Sequence, residues 1–445
     1  MPLDAGHDEL LSNLQQESFA YFLVEANEAN GLVRDKTAPD WPASIAAVGL
    51  ALTIYPIGVE RGLMAREHAR TRTLACLRFF AASAQGRGLK DSGYKGFYYH
   101  FLDMETGERA FNSELSSIDT ALLVAGMLTA AAYFNTSDGA DVEIRALAEQ
   151  LYRRVDWQWM LAGNTEEGTL LCHGWKPRHG FLKYHWKGYD EAMILYILAL
   201  GSPTFPIAAA SYAAWVSGYQ WKSAYGIDYL YAGPLFIHQL SHVWIDFRGI
   251  QDDYMAARGI DYFENSRRAT HVQQRYAIDN PRNFGRYGEH CWGITASDGP
   301  GPARQTTGGV RRVFHDYIAR GAPWGPDDGT LAPWAVVASL PFAPEIVLPT
   351  IEAFCQLHLR EVNPYGFKAS FSATFRHDKD GGDIGWVSGY HFGINEGPTV
   401  VMIDNHRADF IWGLVRACAH VQHGLRRAGF AGGWLDDGLT SASPA

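Results

Sequence analysis

The sequence predicts an all-α fold, an (α/α)6 barrel or toroid with long loops and a short β-hairpin on one rim. Three observations predict it. Twelve stretches of the chain carry helical apolar periodicity. Most of them follow one another in closely linked pairs, with longer loops recurring after alternate helices. No Ser/Gly/Pro-rich linker divides the 445 residues. Six antiparallel helix pairs are the arithmetic of a toroid, and a two-domain α bundle is the alternative. The expected organisation is a single domain over residues 1–445, with 430–445 a poorly ordered tail.

Taken in order, Leu10–Asn27 is amphipathic, with Leu11, Leu14, Phe19, Phe22 and Leu23 on one face. A loop at Gly31–Asp35 precedes a small-residue helix, Ser44–Gly58, and another helix at Ala65–Ala84. Lys90–Ala110 alternates aromatics and ends in a Glu-Thr-Gly turn, the pattern of a β-hairpin. Helices follow at Glu114–Phe134 and Asp141–Arg154. Trp157–Tyr184 reads as loop and short strand. The next helix opens after Asp190-Glu191 and ends at Gly201-Ser202-Pro203. It begins thirty residues without a charge, Ala192 to Trp221. Phe205–Ser217, Leu235–Ile245 and Gln251–Ala277 continue the helical series. Asn280–Gly329 is a long Gly-, Pro- and Asp-rich loop, a kind usually kept for function. Ala332–Ser339, Glu345–Leu359 and Asn395–His420 complete the twelve, with an irregular aromatic stretch at Asn363–Tyr390.

Composition narrows the function classes. With 38 basic against 48 acidic residues the net charge is −10, which disfavours a nucleic-acid partner. The uncharged runs Trp41–Val59 and Ala192–Trp221 contain Pro42, Pro56, Pro203 and Pro206, so buried helices and no membrane insertion are expected. No basic and apolar leader opens the chain, which points to the cytoplasm, or to the periplasm if a leader once preceded it. Oligomeric state is not legible. Cys76, Cys172, Cys291, Cys355 and Cys418 show no CxxC spacing, so neither a disulfide framework nor a zinc site is expected. There is no P-loop, HExxH or EF-hand. His238 and His242 in HQLSH have ligand-like spacing, but such a pair more often packs or binds substrate hydroxyls. No metal and no cofactor are expected.

What remains is carboxylates set among aromatics. The 14 Trp, 22 Tyr and 23 Phe exceed what packing alone asks for and suit stacking on sugar rings. Four segments place an acid at a helix entrance or in a glycine-bracketed loop. They are Ser113–Thr120, Tyr189-Asp190-Glu191, Tyr287–Pro300 and Gly393–Pro398. An acid there can be a mere helix-dipole partner. Four such segments, each beside Trp, Tyr, His or Gly, point instead to glycoside hydrolysis. That chemistry needs one carboxylic acid of raised pKa and one ionised base or nucleophile.

The segments GYDEAMILYILALGSP, GPLFIHQLSHVWIDFRG, GRYGEHCWGITASDGPG, TLAPWAVVASLPFAPE and GINEGPTVVMIDNHRADFIW together resemble the glycoamylase-like family. It includes bacterial endo-β-1,2-glucanases, sophorose-releasing enzymes and a barrel domain of cyclic β-1,2-glucan synthases. The resemblance runs from about Leu10 to about Trp412. It implies an (α/α)6 barrel, action on β-1,2-linked glucans and no metal requirement. It also implies that Glu191 is the general acid, and that Asp119, Glu289, Asp298 and Glu396 lie in substrate-cleft motifs. One departure stands out: Gly366–Ser372 lacks the acid that the family carries there, so Asp378, Asp380 or Asp383 would have to supply it.

The expected activity is therefore hydrolysis of β-1,2-glucan or a related β-glucoside, with inversion. Glu191 protonates the glycosidic oxygen, and Glu396 or Asp298 activates water. Trp175, Trp186, Trp292 and Trp386 are expected sugar platforms, and Lys187, His242 and Arg248 hydroxyl donors. The partner is an oligo- or polysaccharide. A retaining glucan transglycosylase and a non-catalytic carbohydrate-binding toroid are the alternatives.

Overall fold

The computed structural model describes residues 5–161, 169–360, 364–376 and 384–437. They form two compact units, each drawn from discontinuous segments. One comprises Met1–Tyr21, Gln220–Leu240 and Phe263–Arg407; the other comprises Phe22–Tyr219, Ser241–Tyr262 and Ala408–Ala445. Helices dominate both, and the strands pair only into small two- and three-stranded sheets.

The second unit is built around helices that touch through glycine. Ile45–Glu60 and Ser117–Tyr133 are buried along almost their whole length. They meet at Gly49 and Gly126, where a Cβ on Gly126 would lie 2.0 Å from the Gly49 carbonyl oxygen. A Cβ on Gly49 would lie 2.3 Å from that of Leu122. Only glycine permits such an approach. Met193–Gly201 and Ala419–Arg427 use the same device. Added Cβ atoms on Gly424 and Gly201 would fall 2.0 Å from the Ile197 oxygen and 2.3 Å from the His420 oxygen. Helices Arg66–Ala82 and Gly139–Arg154 carry charged outer faces, and Arg78 pairs with Glu143 between them.

The expected hairpin is present, with Gly93–Tyr94 paired to Phe97–Tyr98, while Phe101–Leu102 pairs with Ala43–Ser44. Three expected helices are shorter or broken. Leu235–Ile245 is two 3-10 turns, Leu235–His238 and Leu240–Val243, so His238 and His242 do not share an α-helix. Gln251–Ala277 is a single turn, Asp253–Ala256, then Tyr262–Asp279, parted by Gly259 at φ 69°. Asn395–His420 is three helices, Gly393–Ala408, Phe410–Arg416 and Ala419–Arg427, with Asp409 at φ 54° making the first break.

In the first unit the long loop Asn280–Gly329 holds a true hairpin, Ala303–Thr307 against Val310–Phe314, turned at Gly308-Gly309. Both glycines have positive φ, as a two-residue hairpin turn demands. At the base of this loop Arg320, with none of its surface exposed, forks onto Asp328 at 2.7 and 2.9 Å. The chain from Phe430, expected to be part of an unordered tail, carries a helix at Gly433–Asp437 with Phe430 and Leu435 buried. Residues 438–445 lie outside the described residues. Among the described residues no helix is long and apolar enough to cross a membrane.

Candidate active site

Glu191 stands in the turn just ahead of the wholly apolar helix Met193–Gly201. The helix must be buried to fold, and that drags the preceding carboxyls into protein. Asp190 accepts from the indole N–H of Trp215 at 2.9 Å and from the backbone N–H of Ala192 at 3.0 Å. Burial raises Asp190 to about 7 against those two hydrogen bonds. Burial also raises Glu191 to about 8, and the neighbouring charges of Asp190 and Asp119 push the same way. At neutral pH Glu191 is thus a carboxylic acid, the state a proton donor needs.

Asp119 enters in the first turn of Ser117–Tyr133, where Ser116 caps the helix by accepting from the Asp119 backbone N–H and donating to its carboxylate. His100 lies 3.7 Å from that carboxylate and 3.3 Å from Glu114. Burial disfavours the His100 cation, but Asp119, Glu114 and Asp35 outweigh it and push the imidazole to about 9. The His100 hydrogen bond in turn, against burial, holds Glu114 down at about 2. Asp35 is raised by burial, although His100 and the Trp41 indole oppose the shift. A partly exposed imidazolium amid three carboxylates offers both donors and acceptors to a polyhydroxylated ligand.

The sheet Leu115–Ser116, Gly174–Lys176, Gly180–Phe181 brings the aromatics to this place. Trp175 pairs in register with Leu115. It is partly exposed and packs on Tyr94 and Trp159, which suits a platform. Trp186 is buried, stacked on His173 at 3.7 Å, and donates to Ser117 at 2.9 Å. It positions the Asp119 helix entrance. Lys187 is exposed. His242, an expected hydroxyl donor, is buried edge-on to Phe247 at 4.8 Å. Arg248, expected to bind hydroxyls, forms an ionic clasp with its side chain 39% exposed. Its guanidinium forks onto buried Asp246 at 2.8 and 2.9 Å, reaches Asp409 at 2.9 Å and lies over Trp412.

The first unit holds the remaining acids. Asp298 follows the strand Ala296–Ser297 and accepts from the Ser388 hydroxyl at 2.7 Å. Its backbone oxygen accepts from Ser370, and Arg320 secures the Ser297 oxygen beside it at 2.6 Å. Glu396 opens Gly393–Ala408, fully enclosed, 3.1 Å from the His391 ring. Burial raises its pKa despite His391, Ser18 and Lys368. Lys368, in the segment Gly366–Ser372, therefore carries its charge toward Glu396. The substitutes Asp378, Asp380 and Asp383 lie outside the described residues. Glu289 is exposed on a turn between Gly288 and Cys291. Trp386 is partly exposed in the strand Trp386–Val387. Trp292 corrects an expectation: it is wholly buried with its N–H on Thr350 at 2.9 Å, so it is a core ring and not a sugar platform.

His100 and Asp35 were not singled out from sequence. Among the described residues no three His, Cys, Asp or Glu side chains are arranged to hold a metal ion.

The family model Glycoamylase, described as "Putative glucoamylase", matches residues 183–419, just over half of the chain. A Bacteroides uniformis structure described in the same words is 30% identical, with a TM-score of 0.84, covering 98% of this chain and 99% of that one. An endo-β-1,2-glucanase from Chitinophaga pinensis, solved with sophorotriose and glucose, is 25% identical over 96% of this chain and 99% of its own, with a TM-score of 0.83. An exo β-1,2-glucooligosaccharide sophorohydrolase (non-reducing end) from Parabacteroides distasonis is 28% identical over 94% of this chain. The chain spans 58% of the length of that curated relative. The fold class is that of these structures, an (α/α)6 barrel, and the chain is a member of the glycoamylase-like family.

Proposed function

We propose that the protein is a glycoside hydrolase that cleaves β-1,2-glucan or a related β-glucoside, with Glu191 as proton donor. The observation that carries this is a carboxylic acid raised to about 8, held beside a second acid of about 7 that accepts from the buried Trp215 indole at 2.9 Å. Similarity to the glucanase and the sophorohydrolase supports the substrate class. Among the candidates for the second carboxylate, Asp298 suits the role better than Glu396. The Asp298 carboxylate accepts from the Ser388 hydroxyl at 2.7 Å, whereas burial works against ionising Glu396. In the unit that holds Glu191, the charges of Asp190 and then of Asp119 are felt there. We assign the whole chain to one catalytic domain acting by inversion, with Trp175 and Trp386 as sugar platforms.

Incubation with β-1,2-, β-1,3- and α-linked glucans should release product only from the β-1,2 polymer. NMR of the first product should show the α-anomer. Early β-anomer would make the protein a retaining enzyme, and no release from any glucan would leave only saccharide binding.

Asp190 tunes the donor. Near pH 8 Asp190 is ionised, and its charge holds the Glu191 proton on. Asp190→Asn should therefore shift the alkaline limb of kcat/KM to lower pH. An unmoved limb would show that burial alone sets the Glu191 pKa.

A further inference from the structure

Outside the acid clusters, one exposed aromatic is held in place by more contacts than its exposure explains. Trp324 leaves 52% of its surface in water. Loops usually fold such a ring inward, because apolar surface left in water forfeits stability. Here the backbone prevents it. The Trp324 backbone N–H bonds the Tyr231 hydroxyl. The Gly321 N–H closes on the Pro326 oxygen at 2.9 Å, and Ala322 donates to Gly233 at 3.0 Å. Gly321 and Gly233 pack so closely that a Cβ on Gly321 would sit 2.5 Å from the Gly233 carbonyl carbon. The indole thus presents a fixed surface, with Tyr231 edge-on behind it at 5.1 Å. The Lys222 ammonium lies 4.0 Å from the Tyr231 ring centre and 4.9 Å from that of Trp324.

A rigid indole with an ammonium over its ring matches a pyranose. The C–H face of the sugar stacks on the ring and its hydroxyls meet the cation. Two residues on, Pro326 lines an open groove of about 630 Å³, where Arg282, Arg311 and His315 add donors for hydroxyls. We propose that Trp324, with Tyr231 edge-on to it and the Lys222 ammonium over its ring, is an accessory platform that holds a β-glucan chain. None of its residues belongs to the proposed acid chemistry. The ligand class rests on the reading of the protein as a glucan hydrolase.

The test compares wild type and Trp324→Ala by retardation in native gels containing linear β-1,2-glucan, β-1,3-glucan or an α-glucan, and by cleavage of a short β-1,2-oligosaccharide. Trp324→Ala should weaken retardation by the β-1,2 polymer roughly three- to tenfold, the worth of one aromatic stacking contact. Cleavage of the short substrate should be unchanged. Retardation by a different glucan, lost in Trp324→Ala, would keep the platform and overturn the substrate assignment. Equal retardation of the two proteins, or no retardation by any glucan, would overturn the platform. So would a sedimentation mass that falls in the variant while glucan affinity holds, because Trp324 would then be a contact between copies.

Discussion

Glu191→Gln should lower turnover on β-1,2-glucan by about 10²–10⁴-fold, the usual contribution of a positioned proton donor. Glutamine keeps the shape and hydrogen-bonding reach of the side chain but has no proton to give. The same variant reports on the buried state of the acid through stability. The folded pKa of Glu191, about 8, lies above the ordinary 4.5. The native chain therefore binds more protons than the unfolded chain between those values. Wild-type stability is fully present below pH 4.5 and falls as pH climbs through 8. Glutamine escapes that loss. The Tm of Glu191→Gln should match wild type near pH 5 and exceed it near pH 9. A fully active glutamine variant would sink the assignment. A Tm difference that stays flat from pH 5 to 9 would sink the protonated, buried state.

Arg320→Leu should destabilise the protein by about 3–5 kcal/mol at neutral pH, because it strands a buried carboxylate. Arg320 donates to Asp328 twice, to the Ser297 oxygen, and to the His315 and Asp316 oxygens at 3.0 and 3.1 Å. Leucine fills some of the volume and satisfies none of those acceptors. Burial opposes ionisation of Asp328, but the bonds and charge of Arg320 win and hold its pKa below 3.8. In wild type that contribution is present above pH 3.8 and lost on acidification. In the variant Asp328 gains by taking a proton, so its deficit should shrink toward pH 4. Denaturant unfolding at pH 4 and 7 checks both statements. A loss below about 1 kcal/mol at pH 7, the range of an exposed ion pair, would contradict them.

The parts of the site that could be read from sequence are those where chemistry and packing share one short stretch. Glu191 was visible because thirty uncharged residues follow it, and Asp119 because it opens an apolar helix. His100 and Asp35 belong to the same carboxylate cluster as Asp119 but arrive from distant turns. No local pattern announces a contact between residues 65 or more positions away from one another, as Asp35 and His100 are. Trp292 misled for the opposite reason. Its neighbours Glu289 and His290 are polar, yet the ring turns inward to Thr350. The breaks in the late helices follow from single backbone positions such as Asp409, which apolar periodicity cannot register. The Gly308-Gly309 hairpin did carry a local signal, two adjacent glycines between Thr306-Thr307 and Val310, inside the stretch read as one long loop.

The glycine crossing of Ile45–Glu60 with Ser117–Tyr133 bears on how this site can change over time. Where two helices meet main chain to main chain, their separation does not depend on which side chains fill the surrounding core. Leucine, isoleucine and methionine can exchange nearby without moving the pivot, and so without moving the Asp119 end of the helix relative to its neighbour. The acid is buffered against drift in the core that supports it.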